Sequence, residues 1–216
     1  MKKIVLLLMC GIFASVIYVG SDIWAAFRWE GYSYQSYSVS ELRAIEAPTR
    51  SYLVPVLIVY SLLEISFGVG VLKSAVNRRF IRIAGILLII LGIFDSVALF
   101  FPMHTRDHIQ QSGRSIADEL HIGVTFATVM VILSIIGFGS RASEKAFRFY
   151  SYGTIILMLL CGAWASMDAP LLEVNLPTPW LGIKERINIY GYMVWIISFS
   201  YVLLKSMWST KSNSAS

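Results

Sequence analysis

Charged residues and cysteines are scarce in this chain. Aspartate, glutamate, lysine and arginine make up 14% of the 216 residues, whereas 56% are hydrophobic and the mean hydropathy is +0.67. So few charges cannot cover the surface of a soluble protein of this length. The two cysteines, Cys10 and Cys161, fall in different apolar runs at different depths. We therefore expect free thiols, and a disulfide framework is excluded.

Long apolar runs are abundant instead. A membrane-spanning helix needs about 20 apolar residues, and backbone groups in lipid must be paired within the segment. The sequence therefore predicts an all-α, polytopic membrane protein with a six-helix bundle. We expect one domain over residues 1–208 and a short cytoplasmic tail over 209–216. The predicted spans lie near residues 4–27, 52–75, 83–103, 117–139, 149–167 and 187–208.

The loops differ in charge. Together with Lys73 and Lys205 at helix ends, the N-terminus, the turns near residues 76–82 and 140–148 and the C-terminal tail hold eleven of the 18 basic residues and one acid, Glu144. Lysine and arginine are retained on the cytoplasmic side, so both termini are predicted to be cytoplasmic, with three longer loops outside. The net charge of +5 is a consequence of this topology, and nucleic-acid binding is not expected.

The three histidines, His104, His108 and His121, lie within eighteen residues, from the outer end of the third predicted span to the start of the fourth. If the segment is helical, the spacing of His104 and His108 places both imidazoles on one face, as a zinc site requires. One interpretation is a zinc site with all three histidines as ligands, in which Asp95 or Asp118 orients an imidazole or acts as a base. The other is that they are ordinary polar residues near the membrane interface.

Acids within the apolar runs are a stronger functional signal, because a carboxylate in the bilayer must be paired, protonated or turned to the bundle interior. Glu64 falls near the middle of the second span, with Tyr60 and Ser61 within one turn as hydrogen-bond partners. It is either a functional intramembrane acid or a neutral, hydrogen-bonded packing residue.

Asp95, Asp118 and His121 are the candidate catalytic residues. Asp95 lies near the outer end of the third span, at a depth that permits pairing with His121. The segment Ser115 to Asp118 has the pattern of a capping box, which places Asp118 and His121 one turn apart on the fourth span. A purely structural role for Asp118 as a helix cap is the alternative.

Four short motifs occur in order along the chain. They are SVSEL at 38–42, FFPM at 100–103, DELH at 118–121 and GIKERI at 182–187. In this succession the chain resembles the bacterial and archaeal membrane proteins of the domain of unknown function 998 family over nearly its whole length. Arg43 stands where that family usually has glycine, and His104 stands where an acidic or polar loop is usual. The resemblance implies an architecture but no activity.

The resemblance also implies that residues from three outer loops converge. The planar fork of Arg186 suits a carboxylate or a phosphate, so it forms either a structural clasp with Glu41 or an anchor for an anionic headgroup. The predicted ligand-binding residues are Ser40, Glu41, Asp95, His121, Glu185 and Arg186.

Three functions fit these features. The first is a membrane protein that binds a lipid-like or small polar ligand in an outward-facing polar pocket. The second is an intramembrane metal-dependent hydrolase of a lipid amide or ester, with zinc as cofactor. Its outline resembles membrane ceramidase-type hydrolases, although the last span lacks their histidine pair. The third is a proton-coupled transporter using Glu64 and Asp95, although no repeated halves or broken helices are visible.

The expected partners are membrane lipids and, in addition, a small-molecule or lipid ligand. The chain has no Asn-x-Ser/Thr acceptor and a short cytoplasmic tail. Together with the family resemblance, these features favour a multi-pass protein of a bacterial inner membrane.

Overall fold

A computed structural model of the chain describes residues 2–173 and 176–213. Within these residues all regular structure is helical, which confirms the all-α prediction. The helices are α1 (Lys2–Arg28), α2 (Arg50–Ser74), α3 (Arg79–Ala98), α4 (Arg106–Ser112), α5 (Ile116–Gly139), α6 (Lys145–Ser166), α7 (Ala169–Glu173) and α8 (Leu181–Asn213). Short 3-10 turns occur at Ser40–Arg43 and Ser140–Ala142.

Six of these helices, α1, α2, α3, α5, α6 and α8, are long and apolar enough to cross a membrane. This agrees with the six spans predicted from hydropathy, and the chain is a multi-pass membrane protein. The short helices α4 and α7 lie in connections between spans. Both cysteines are free, as predicted.

The six spans form a closed ring in chain order. Each span packs against the next, and α8 closes the ring against α1. Because successive spans alternate in direction, the start of α1 and the end of α8 lie at the same end of the bundle. The three long connections lie at the other end and are here called the cap, comprising residues 29–49, 99–115, and 167–173 with 176–180. That the cap faces away from the cytoplasm remains the prediction from loop charge.

Two helix ends differ from the hydropathy prediction. Helix α3 ends at Ala98 rather than near Met103, because Pro102 disfavours helical backbone in the residue before it. Helix α8 begins at Leu181 rather than near Ile187. Its first turns carry three charged residues, 184–186, which lower the hydropathy although Lys184 and Arg186 are buried and Glu185 is half-buried in the folded chain.

Small residues allow α2 to approach its neighbours closely. A methyl group at Gly68 would lie 2.9 Å from the backbone oxygen of Gly85 on α3, and one at Gly70 would lie 2.8 Å from Cβ of Leu7 on α1. In lipid, where apolar burial drives helix association little, such close backbone packing is a main source of stability.

The half of the bundle away from the cap is filled by aromatic residues. Phe67, Trp195 and Phe199 are at most 1% exposed, and the rings of Trp195 and Phe199 are 4.8 Å apart. The indole N–H of Trp195 donates to Ser151 Oγ on α6 at 2.9 Å. This packing closes the inner half, so the polar groups of the bundle are concentrated toward the cap.

Candidate functional site

A buried ion pair joins α8 to α1 beneath the cap. Arg186 donates from Nε to Asp22 Oδ2 at 2.9 Å and from Nη2 to Asp22 Oδ1 at 3.0 Å, and both side chains are 3% exposed. The same guanidinium donates to the backbone oxygen of Tyr34 at 2.7 Å and to the hydroxyl of Tyr32 at 2.9 Å. The predicted clasp between Arg186 and Glu41 is therefore wrong, because Arg186 is saturated by Asp22 and the first cap segment.

Glu41 pairs instead with Arg106 of the second cap segment. Arg106 donates from Nε to Glu41 Oε1 at 2.7 Å and from Nη2 to Glu41 Oε2 at 2.8 Å. It also donates to Ser36 O at 3.0 Å and to Thr178 Oγ1 at 3.3 Å, and so links all three cap segments. Burial would lower the pKa of Arg106, but the hydrogen bonds and charge of Glu41 outweigh it and raise that pKa, so Arg106 stays protonated.

A third buried pair ties the last cap segment to the start of α8. Lys184 Nζ donates to Asp168 Oδ2 at 2.7 Å, and it lies 4.6 Å from the ring centre of Trp164. The cap is thus attached to the bundle at several points by charge-assisted hydrogen bonds.

The hydroxyl of Tyr32 sits at the centre of the first cap segment. It donates to Ser38 O at 2.8 Å, and it accepts from Arg186. Burial raises the pKa of Tyr32 above its usual range, although the nearby Arg186 opposes this. The phenol is therefore held neutral in the folded protein.

His121 on α5 is buried between two connections. Its Nδ1 lies 3.0 Å from Phe101 O, and its Nε2 lies 3.2 Å from Ser40 Oγ. Two predicted site residues, His121 and Ser40, are therefore in contact. Because a carbonyl oxygen only accepts, Nδ1 carries the proton, and Nε2 accepts from the serine hydroxyl. The hydrogen-bond partners of His121 do not include Asp95.

Glu64 is buried within the bundle at 3% exposure. Its Oε1 accepts from Tyr192 at 3.2 Å and from Tyr60 at 3.4 Å, whereas Oε2 has no hydrogen-bond partner among the described residues. Asp95 on α3 is close enough for a hydrogen bond between the two carboxyl groups, which requires that they share a proton. Beside Glu64 lies a cavity of about 10 Å³, room for roughly one water molecule.

Arg43, at the end of the first 3-10 turn, is the cap residue whose charge reaches these groups. It is half-buried, and its charge acts on Asp95, His121 and Glu185. Among the described residues Arg43 forms no ion pair. Glu185, whose Oε2 accepts from Val39 N at 2.8 Å, also forms none with a described residue. Arg43 lines an opening of about 20 Å³ together with Tyr18, Ser21 and Asp22.

Asp118 anchors the start of α5 and the segment before α4. The predicted capping box is confirmed, because Ser115 Oγ accepts from Asp118 N while Asp118 accepts from Ser115 N at 2.8 Å. Asp118 Oδ1 also accepts from His104 N at 2.7 Å, and Oδ2 lies 3.1 Å from His104 Nδ1. This predicted catalytic candidate thus holds His104 in place.

Glu46 lies beside His104 and His108, at the outer surface of the cap. Its Oε1 is 3.8 Å from His104 Nε2 and 3.5 Å from His108 Nδ1, and its Oε2 accepts from Thr105 N at 2.9 Å. Burial would raise the pKa of Glu46, but the Thr105 bond and the two imidazoles lower it below its ordinary value. Two predicted metal ligands are therefore together, and Glu46, rather than His121, is the third group near them.

Sequence reasoning missed four residues of this region, namely Tyr32, Arg43, Glu46 and Arg106. Each lies in a polar connection, where hydropathy carries no burial signal. Arg43 gave one signal, because it replaces a glycine expected from the family resemblance.

Comparison with known proteins gives one match. A family model described as "Protein of unknown function (DUF998)" matches residues 12–202. No curated protein and no solved structure matches the chain significantly. The family resemblance read from the four motifs is confirmed.

Proposed function

The chain belongs to the DUF998 family, whose model covers most of its length, and we propose that it binds a small polar or lipid-like ligand at the cap end of its bundle. Arg43, Asp95 and Glu185 are the groups that contact the ligand's charges. His121 and Ser40 form one wall of the site. Glu41 and Arg186, which are saturated by their own partners, position the site.

A contrast in ion pairing carries this proposal. The buried charges around the site are neutralised in pairs, as in Asp22 with Arg186 and Glu41 with Arg106. Among the described residues, Arg43 and Glu185 lie in the same region without an ion pair, and Asp95 interacts with the carboxyl group of Glu64, which supplies no opposite charge. Partly desolvated charges without partners are unfavourable in a folded protein, so they are a common mark of a binding site.

The charges at this site suit a ligand that carries both signs. The guanidinium of Arg43 matches a phosphate or carboxylate, and the acids Asp95 and Glu185 match a primary ammonium group. A phosphoethanolamine headgroup has both features, whether it is free or part of a lipid. The opening beside Arg43 has room for only one or two water molecules and is not lined by Asp95 or Glu185, so binding of a headgroup requires the cap to open there.

Thermal unfolding in a neutral detergent tests the proposal. Short-chain phosphatidylethanolamine is titrated into the purified protein, and phosphatidylglycerol, phosphatidylcholine and free phosphoethanolamine serve as parallel probes. At 100 times Kd the gain is about 2.7 kcal/mol, which for a chain of this size raises Tm by roughly 5–10 °C. We expect this rise with phosphatidylethanolamine and little rise with phosphatidylcholine, whose quaternary ammonium cannot donate a hydrogen bond.

Arg43→Gln is the decisive variant, and Arg28→Gln is its matched control, because Arg28 is exposed at the cap end of α1. The rise should disappear in Arg43→Gln and persist in Arg28→Gln. Stabilisation by free phosphoethanolamine would assign a soluble ligand, whereas stabilisation by the lipid alone would assign a lipid. Equal shifts in both variants, or no shift with any probe, would overturn the proposal.

Proton-coupled transport is a second candidate, supported by the neighbouring carboxyl groups of Glu64 and Asp95, which are close enough to share a proton. Buried aromatic residues, among them Phe67, Trp195 and Phe199, pack between these acids and the end of the bundle away from the cap, so a proton path in that direction would require them to move. The test is proton uptake into proteoliposomes with a pH-sensitive dye in the lumen. Loss of ligand-dependent uptake in Glu64→Gln, with headgroup binding retained, would favour transport over binding alone.

A further inference from the structure

We propose that Glu46, His104 and His108 form a metal site on the outer surface of the cap, which takes a zinc-class divalent cation. One donor atom from each residue lies within 4.8 Å of the other two. The site is separate from the proposed ligand site and shares no residue with it.

The distances suit a single ion. Zinc–nitrogen and zinc–oxygen bonds of about 2.0–2.1 Å place two ligand atoms of a tetrahedral site about 3.4 Å apart. Glu46 Oε1 lies 3.5 Å from His108 Nδ1 and 3.8 Å from His104 Nε2. The two distances from the carboxylate oxygen to the imidazole nitrogens are therefore within a few tenths of an ångström of the spacing in a tetrahedral site. The two imidazole nitrogens must be brought to the same spacing by a turn of one ring.

Two of the three ligands are already oriented by hydrogen bonds. Glu46 Oε2 is held by Thr105 N at 2.9 Å, which leaves Oε1 toward the imidazoles. His104 Nδ1 lies 3.1 Å from Asp118 Oδ2, so Nδ1 carries the proton and the lone pair of Nε2 faces Glu46. In zinc sites, a ligating histidine usually donates its other ring N–H to a carboxylate, which fixes the tautomer.

The third ligand must turn. The rings of His104 and His108 are stacked, with centroids 4.2 Å apart and planes 15° apart, and an imidazole binds a metal in its own plane. His108 is the ring that can rotate, because its side chain is 41% exposed whereas that of His104 is 16% exposed. Metal binding therefore opens the stack, and water fills the remaining coordination position.

The donor set selects the class of ion. Two imidazoles and one carboxylate suit zinc and its first-row neighbours, whereas magnesium and calcium prefer oxygen ligands alone. The exposed position at the cap makes the site accessible from the solvent on that side.

Zinc titration of the chelator-treated, detergent-purified protein against a chromophoric zinc indicator tests the site. We expect one zinc per chain. His108→Ala and Glu46→Gln should each weaken binding at least tenfold, and so should Asp118→Asn through the loss of orientation of His104. Asp107→Asn is the matched control, because Asp107 is exposed on the same short helix and should bind as the wild type does.

His121→Asn separates this assignment from the set of three histidines predicted from the sequence. Zinc binding should survive this change, because His121 bonds to Phe101 and Ser40 instead. Circular dichroism and size-exclusion chromatography establish that each variant is folded. Cobalt substitution adds a direct signature, because its visible absorption should change in His108→Ala and not in His121→Asn. Less than a tenth of a zinc per chain, or loss of binding in His121→Asn with retention in His108→Ala, would overturn the proposal.

Discussion

Replacing Asp22 by asparagine should loosen the cap. The substitution keeps the shape of the side chain but leaves the buried guanidinium of Arg186 without its counter-ion, and both side chains are 3% exposed. Removing one partner of such a pair costs about 3–5 kcal/mol. For a chain of this size that corresponds to a fall in Tm of roughly 6–20 °C, measured by intrinsic fluorescence in a neutral detergent.

Glu119→Gln is the matched control. It also removes one carboxylate charge from an ion pair, but Glu119 is 62% exposed and lies 3.7 Å from Arg114. An exposed pair of this kind contributes about 0–1 kcal/mol, so Tm should fall by no more than about 4 °C. The comparison isolates the effect of burial from that of charge.

The double variant Asp22→Leu with Arg186→Met provides a second test. Replacing both charges by apolar side chains leaves neither charge uncompensated, so the double variant should be more stable than Asp22→Leu alone. If Asp22→Asn shifts Tm no more than Glu119→Gln does, the buried pair does not hold the cap, and the reasoning is refuted.

Two further predictions concern pH and helix packing. Tyr32→Phe should be destabilised by about 1–3 kcal/mol at pH 8, because buried partners lose a hydrogen bond. Because the pKa of Tyr32 is raised in the folded protein, the stability that its phenol contributes is complete below a pH of about 10 and is lost as pH rises through the folded pKa. The difference in Tm between Tyr32→Phe and wild type should therefore be smaller at pH 11 than at pH 8. A constant difference would contradict this. Gly68→Ala should lower Tm, because its new methyl group would meet the backbone of Gly85, whereas Gly137→Ala, with no atom within 4 Å, should not. Equal shifts in the two variants would contradict close packing of α2 and α3.

The bundle could be read from the sequence because the bilayer imposes a simple requirement. Each span must be long, apolar and helical, and all six were found. The start of α8 was missed for a related reason. Lys184, Glu185 and Arg186 lower the hydropathy of those turns, and only the folded structure reveals that two of them pair with Asp168 and Asp22.

The pairing within the cap could not be predicted in the same way. Glu41 and Arg186 were predicted as ligand-binding residues, but which acid meets which base depends on how three loops cross. Arg106 was not singled out, because a charged residue in a polar loop looks solvent-exposed until a partner from another loop covers it. Local signals were more reliable, since the capping box at Ser115 and Asp118 depends on adjacent residues alone.

The most direct test of the proposed ligand site is native mass spectrometry of the protein purified with its own membrane lipids. Wild type and Arg28→Gln should retain one phosphatidylethanolamine or one phosphoethanolamine-containing molecule per chain, and Arg43→Gln should retain none. The same adduct on all three proteins, or on none of them, would contradict a headgroup site at Arg43.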